Sequence, residues 1–314
     1  MMKYCLKRIY GMLVVMFVVT TLVFFMGRVA PGDPASVMLG IDATPEQVAE
    51  LRERWGLNSS IAKQYFIYLS NVARGDLGDS LFLNRPVVTA LMERAEPTLL
   101  LTVLSLLIAT VIALPLGVIA AYRRGSALDQ IVTTVGMLAA SIPTFWLGLI
   151  LIQVLAVKFD LLPVSGYGPP GAGFMERMSH LALPALAIGL TTSAIIMRFT
   201  RASMLDVLQD EYVRTARSKG MSEARMLVRH ALKNALIPIL TILGLTFAGV
   251  LGGAVVTETV FGVPGLGSLV ISAVSRRDYP VLEGALLVVA ATKVLINFSV
   301  DMLYLLVDPR VRYA

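Results

Sequence analysis

The 314-residue chain is 56% hydrophobic and only 15% charged, with a mean hydropathy of +0.76, far from the roughly 25% charge of a soluble domain. That balance excludes an ordinary water-soluble globule and points to one all-helical, membrane-embedded bundle. The formal charge of +6 raises nucleic acid as a partner, while the lone cysteine, Cys5, excludes an internal disulfide and a cysteine-based zinc site.

Six apolar runs are long enough to cross the hydrocarbon core: Ile9 to Gly27, Thr98 to Tyr122, Ile131 to Val157, Leu181 to Met197, Ala235 to Val256 and Gly284 to Val307. The first follows Lys3, Lys7 and Arg8 as a signal peptide would. Its run is longer than a signal-peptide core, and Pro31 follows the nearest small residue, Ala30, so it reads as a retained helix. Residues 31–97 then form an outer lobe. PGDPA, Pro31 to Ala35, reads as a turn cluster; Thr44-Pro45-Glu46 opens a helix that ends near Gly56; Gly75-Asp76-Leu77-Gly78 is a further turn.

Pro115 and Pro143 are expected to kink the second and third spans, because each removes a backbone donor. Gly249, Gly252 and Gly253 in the fifth span are expected to permit close helix approach. In the last span Lys293, Asn297 and Asp301 recur every four residues on one face. Polar groups at that depth face protein or water, so helix–helix bonding is favoured and a pathway role is the alternative. Glu258 and Arg276 to Asp278 read as contacts to another protein or as solvated loop ends.

Basic residues orient the bundle. With the amino terminus inside, the inner segments hold 15 Lys or Arg in 60 residues, against 4 in 47 for the short outer loops. Both termini are therefore expected to be cytoplasmic. The net charge is then mostly topology, and nucleic acid falls away as a partner.

Catalytic signatures are missing from the sequence. It has no Gly-Lys dipeptide and hence no P-loop, and neither H-E-x-x-H nor G-x-S-x-G. No catalytic, cofactor or metal residue is assigned; the 15 methionines read as core filler, and His230 as a polar-face residue.

The inner loop, about residues 198–234, concentrates charge on a helical pattern. Val213, Ala216, Gly220, Ala224, Leu227, Val228, Ala231 and Ala235 recur at three- and four-residue steps. Gly220 interrupts them and Ser222 can cap a fresh start, giving helix, turn, helix. Such a segment could lie on anionic lipid, pack on its own bundle, or enter a groove of a cytoplasmic partner. The glycine turn and the mixed charges tilt the reading towards the partner.

Ala216, three residues and then Gly220 resemble the E-A-A-x-x-x-G loop of ABC importer permeases. Arg214 and Thr215 stand where that pattern has Glu and Ala, Glu211 comes three residues earlier, and His230-Ala231-Leu232-Lys233 replaces I-x-L-P. These departures resemble the peptide and nickel branch. So do PGDPA, GDLG at Gly75, SIPTFW at Ser141, RASMLDVL at Arg201, ETVFGVPGLG at Glu258, RRDYP at Arg276 and VDPR at Val307.

The resemblance implies a type I importer permease in a bacterial inner membrane, paired with a second homologous permease, two ATP-binding subunits and an extracytoplasmic solute-binding protein. It also implies that Glu211, Arg214, Thr215, Ala216, Lys219, Gly220 and His230 form the loop that couples to the ATPase. ATP and Mg would be held by the ATPases, with no cofactor on this chain. Peptides, glutathione and nickel chelates are all carried by similar permeases. A gradient-driven secondary transporter or a membrane scaffold are the rival classes.

Overall fold

The computed structural model describes residues 2–29, 32–40 and 43–307. Among them the regular structure is helical, with one isolated bridge between Asp79 and Pro86. The helices are α1 (Met2–Val29), α2 (Pro34–Leu39), α3 (Pro45–Arg54), α4 (Ile61–Ala73), α5 (Val87–Tyr122), α6 (Ala127–Ser141) and α7 (Thr144–Leu151). They continue as α8 (Phe174–Leu208), α9 (Glu211–Ser218), α10 (Glu223–Arg225), α11 (Lys233–Gly253), α12 (Val255–Val260), α13 (Leu266–Arg276) and α14 (Tyr279–Val307). Ile152–Lys158 and Met226–Leu232 are π-helical.

Five stretches are long and apolar enough to span: Arg8–Arg28, Val87–Tyr122, Phe174–Leu208, Glu223–Gly253 and Tyr279–Val300. The expected third span is not one straight helix. It is the pair α6 and α7, bent by 97°. Pro143 is the cause: Ile142 before it is extended, with ψ at 126°, because the proline ring disfavours a helical predecessor. Pro115 leaves α5 helical; there Ala113 is fully buried and Leu114 is packed.

The chain divides into two compact units, Met1–Thr98 with Pro264–Val294 and Leu99–Val263 with Leu295–Ala314. In the first, Thr44 starts α3 as the sequence predicts. Its hydroxyl accepts from the Gln47 amide, and the Gln47 side chain accepts from the Thr44 amide. Gly75 and Gly78 take positive φ, and Asp76 accepts from the Gly78 amide, completing the predicted turn. The PGDPA segment is more than a turn: Asp33 caps α2, accepting from the Ser36 amide at 3.1 Å. Pro31 of that motif lies outside the described residues, as do residues 308–310 of VDPR.

The stretch read as an outer loop between the fifth and sixth spans instead carries α12 and α13. Leu266, Leu269 and Ala273 of α13 pack with Val87, Leu91, Val281 and Ala285. Asp278, 3% exposed, accepts from the Ser80 hydroxyl and the Leu81 and Phe82 amides, which ties the 80–82 segment to the start of α14. Arg28 pairs with Glu283.

The second unit is built around α8, most of whose apolar stretch is buried. Close approaches occur at glycines with no room for a side chain. A Cβ on Gly117 would lie 2.9 Å from the Met197 carbonyl, and one on Gly189 would lie 2.8 Å from Ile108. Gly136 meets Met197, Gly148 meets Phe261, and Gly244 meets Val300. Gly249, Gly252 and Gly253 have nothing within 4 Å, so the close packing expected there is made by other glycines. Glu258 is fully buried, which excludes both the solvated-end and the protein-contact readings of that residue in this chain's structure.

Candidate functional site

The charged inner segment folds as helix, turn, helix in the second unit. α9 ends in a C-terminal cap in which Gly220 takes φ +75° and its amide bonds the Arg217 carbonyl. The Met221 amide reaches back to the Ala216 carbonyl at 3.3 Å, so the carbonyls of Ala216 and Arg217 are satisfied. This left-handed position is why a glycine belongs here. Ser222 has the backbone of a helix cap, as predicted, but its side chain makes no cap hydrogen bond.

The charges are largely arranged among themselves. Arg214 Nη1 donates to Glu211 Oε1 at 3.0 Å, and the Thr215 hydroxyl donates to the Glu211 carbonyl at 2.9 Å. Arg217 spans the turn to Glu223 with two bonds, 3.1 and 3.3 Å. Asn234 donates to the Tyr212 hydroxyl at 2.7 Å, closing the two arms on each other. Lys219 and Gly220 are exposed, Ala216 and His230 half-buried.

The apolar face divides. Val213, Met226, Ala231 and Ala235 are fully buried in one cluster with Ala121, Met204 and Ile239. The loop therefore packs on α5, α8 and α11, which is the second of the three sequence readings. Ala224 and Val228, predicted on the same face, are exposed, Val228 by 65%. For Val228 the π-helical turn explains the change. Its wider coil brings residues five apart into line, so Met226 and Ala231 share the inner face while Val228 rotates out. The exposed outer surface is thus Tyr212, Ala224, Val228 and the charged groups.

One anchor was not foreseen. Arg201 on α8, ten residues before Glu211, grips Asp129 at the start of α6 with two bonds of 2.7 and 2.8 Å. Asp129 is 4% exposed and also accepts from the Gly125 amide at 3.0 Å. The available signal was Ser126-x-x-Asp129, a helix-start pattern beside an apolar run. Nothing local ties it to a residue 72 positions away.

The last helix carries the polar stripe. Lys293 and Asn297 are exposed on α14; the side chain of Asp301 lies outside the described residues.

Comparison with known proteins places this architecture. Residues 113–313 match the model of the binding-protein-dependent transport system inner membrane component, and residues 1–102 match that of the N-terminal part of such membrane components. The probable peptide ABC transporter permease protein y4tP of Sinorhizobium fredii (strain NBRC 101917 / NGR234) is 43% identical over 310 residues, covering 99% of both chains. The glutathione transport system permease protein GsiC of Escherichia coli (strain K12) is 39% identical over 313 residues, covering 100% of both. Among solved structures, the MetNI methionine ABC transporter in inward facing conformations aligns with a TM-score of 0.58 at 20% identity, covering 70% of this chain and 97% of the other. That likeness concerns the fold alone. On this evidence the chain belongs to the family of binding-protein-dependent transport system inner membrane components, the permease subunits of ABC importers, and it is a membrane transport subunit rather than a catalytic enzyme.

Proposed function

We propose that this chain forms one half of the membrane pore of an ATP-driven importer for di- or oligopeptides, with glutathione or a nickel chelate as the alternative cargo. The family and the names of its relatives support import of a small peptide. The supporting assembly is a second homologous permease, two ATP-binding subunits carrying ATP and Mg, and an extracytoplasmic solute-binding protein. Both termini lie on the cytoplasmic side, in keeping with the bias of basic residues.

One observation carries the mechanism. The loop's inner face is packed into the cores of α8 and α11 through Val213, Met226, Ala231 and Ala235, while its outer face carries braced charges with Tyr212, Ala224 and Val228 among them and is open. When ATP draws the two ATPases together, a partner seated on Glu211, Arg214, Thr215, Lys219 and Gly220 moves the loop. The shared cluster transmits that displacement to the spans. A conformational equilibrium shifts only through contacts that differ between its states, and this outer face is where such contacts are made. The stripe of Lys293, Asn297 and Asp301 is assigned to helix–helix bonding, with lining of the path as the alternative.

Gly220 tests the reading. Nothing lies within 4 Å of a Cβ added there, so only its backbone strains within this chain. Gly220→Asn tolerates positive φ yet adds bulk to the outer face. The reading predicts normal membrane insertion and folding with uptake abolished in Gly220→Asn, and loss of uptake also in Gly220→Val, whose β-branched side chain strains the turn at φ +75°. Wild-type uptake in both variants would overturn it.

A further inference from the structure

α4 has two unlike faces, and its attachment to α1 sets its depth in the membrane. Lys63, Gln64, Ile67, Tyr68 and Asn71 line a cavity of about 330 Å³ together with Trp55. Ala62, Phe66, Leu69 and Ala73 recur at four-, three- and four-residue steps on the other side. Phe66 is 70% exposed, Ala62 and Ala73 are exposed, and Leu69 is half-buried. No residue of α4 is fully buried, although the helix is rich in large apolar side chains.

The depth comes from Tyr65. Its hydroxyl bonds the Thr21 hydroxyl at 2.8 Å, and its ring packs on Phe24 and Phe25 with centroids 5.2 and 5.7 Å apart. Thr21 lies about 10 Å along the α1 axis from Arg28, at 1.5 Å per residue. Arg28 closes the apolar stretch of this span. A segment bonded to Thr21 is therefore beneath the headgroups, not above them. On α1, beside this attachment, Leu22 and Phe25 are exposed.

We propose that α4 is an interfacial helix, lying in the leaflet at the C-terminal end of α1. Its Ala62, Phe66, Leu69 and Ala73 face rests on acyl chains, and its Lys63, Gln64 and Asn71 face turns to the aqueous cavity. The depth matches that of amphipathic helices at the headgroup and acyl boundary. Lipid is the occupant because the exposed face is apolar, carries no charge and is held at the level of Thr21, inside the apolar stretch of α1. The segment between the first two spans is thereby partly a membrane anchor, whichever solute the protein carries.

The test is depth-dependent fluorescence quenching on the full chain in nanodiscs, with Trp55→Phe and Trp146→Phe as background. Phe66→Trp should be quenched by lipids brominated near the headgroup end of the acyl chain and little by aqueous iodide. Asn71→Trp on the cavity face should show the reverse, and Leu69→Trp repeats the first result if Phe66→Trp folds poorly. Strong iodide quenching at positions 66 and 69 would overturn the proposal. Shielding from both quenchers, the mark of a protein neighbour, would overturn it equally.

Discussion

Asp129 offers the sharpest perturbation of the site. Replacing it with Asn keeps its shape and an acceptor for the Gly125 amide, but leaves the Arg201 guanidinium without its counter-charge. Removing one partner of a fully buried ion pair costs about 3–5 kcal/mol. The Arg201 side chain is 27% exposed and the Asp129 side chain 6%, so Arg201 can reach water in part and the expected loss falls to about 2–3 kcal/mol. Denaturant-induced unfolding of the purified chain in mixed micelles measures it. The double variant Asp129→Asn with Arg201→Gln removes the stranded charge and should recover more than half of that loss. A single variant within about 0.5 kcal/mol of wild type, or a double variant as damaged as the sum of the singles, would refute the assigned burial and pairing.

The glycines divide into two classes by what surrounds them. Gly189→Leu should block close approach of α8 to Ile108 and the Ser105 carbonyl, and lower the yield of folded protein sharply, whereas Gly249→Ala and Gly252→Ala should leave folding unchanged, as monodispersity in detergent would report. Asp278→Ala strips the acceptor from Ser80, Leu81 and Phe82, so hydrogen exchange at those two amides should rise at least about tenfold, the effect of losing roughly 1.4 kcal/mol of local protection. Unchanged exchange would show that the segment holds its shape without the carboxylate.

The features legible in the sequence were those set by short-range chemistry. The Thr44-Pro45-Glu46 helix start, the Gly75 to Gly78 turn and the Gly220 break all depend on neighbours within a few positions, and each is found where the residues indicate. Apolar runs of spanning length were equally plain. A run of constant hydropathy carries no record of direction, however, so the 97° break at Pro143 was read as a kink in one span. Val228 shows the same limit on a smaller scale: a three-and-four pattern assumes an α-helical pitch, and the π turn alters the register. The Arg201–Asp129 and Ser80–Asp278 contacts join residues 72 and 198 positions apart, and no local pattern encodes such pairings. Glu258 looked like an exposed loop acid because its burial depends on α12, an element the pattern did not reveal.

The central claim is that this permease works only as part of an ATP-driven assembly. Gentle extraction of the tagged chain from its own membranes, followed by mass spectrometry, tests it most directly. The account predicts a second six-span protein and P-loop ATPases in the recovered complex, with ATP-dependent peptide uptake once the complex is in vesicles. Recovery of the folded chain alone, with solute uptake driven by an ion gradient and indifferent to ATP, would contradict it.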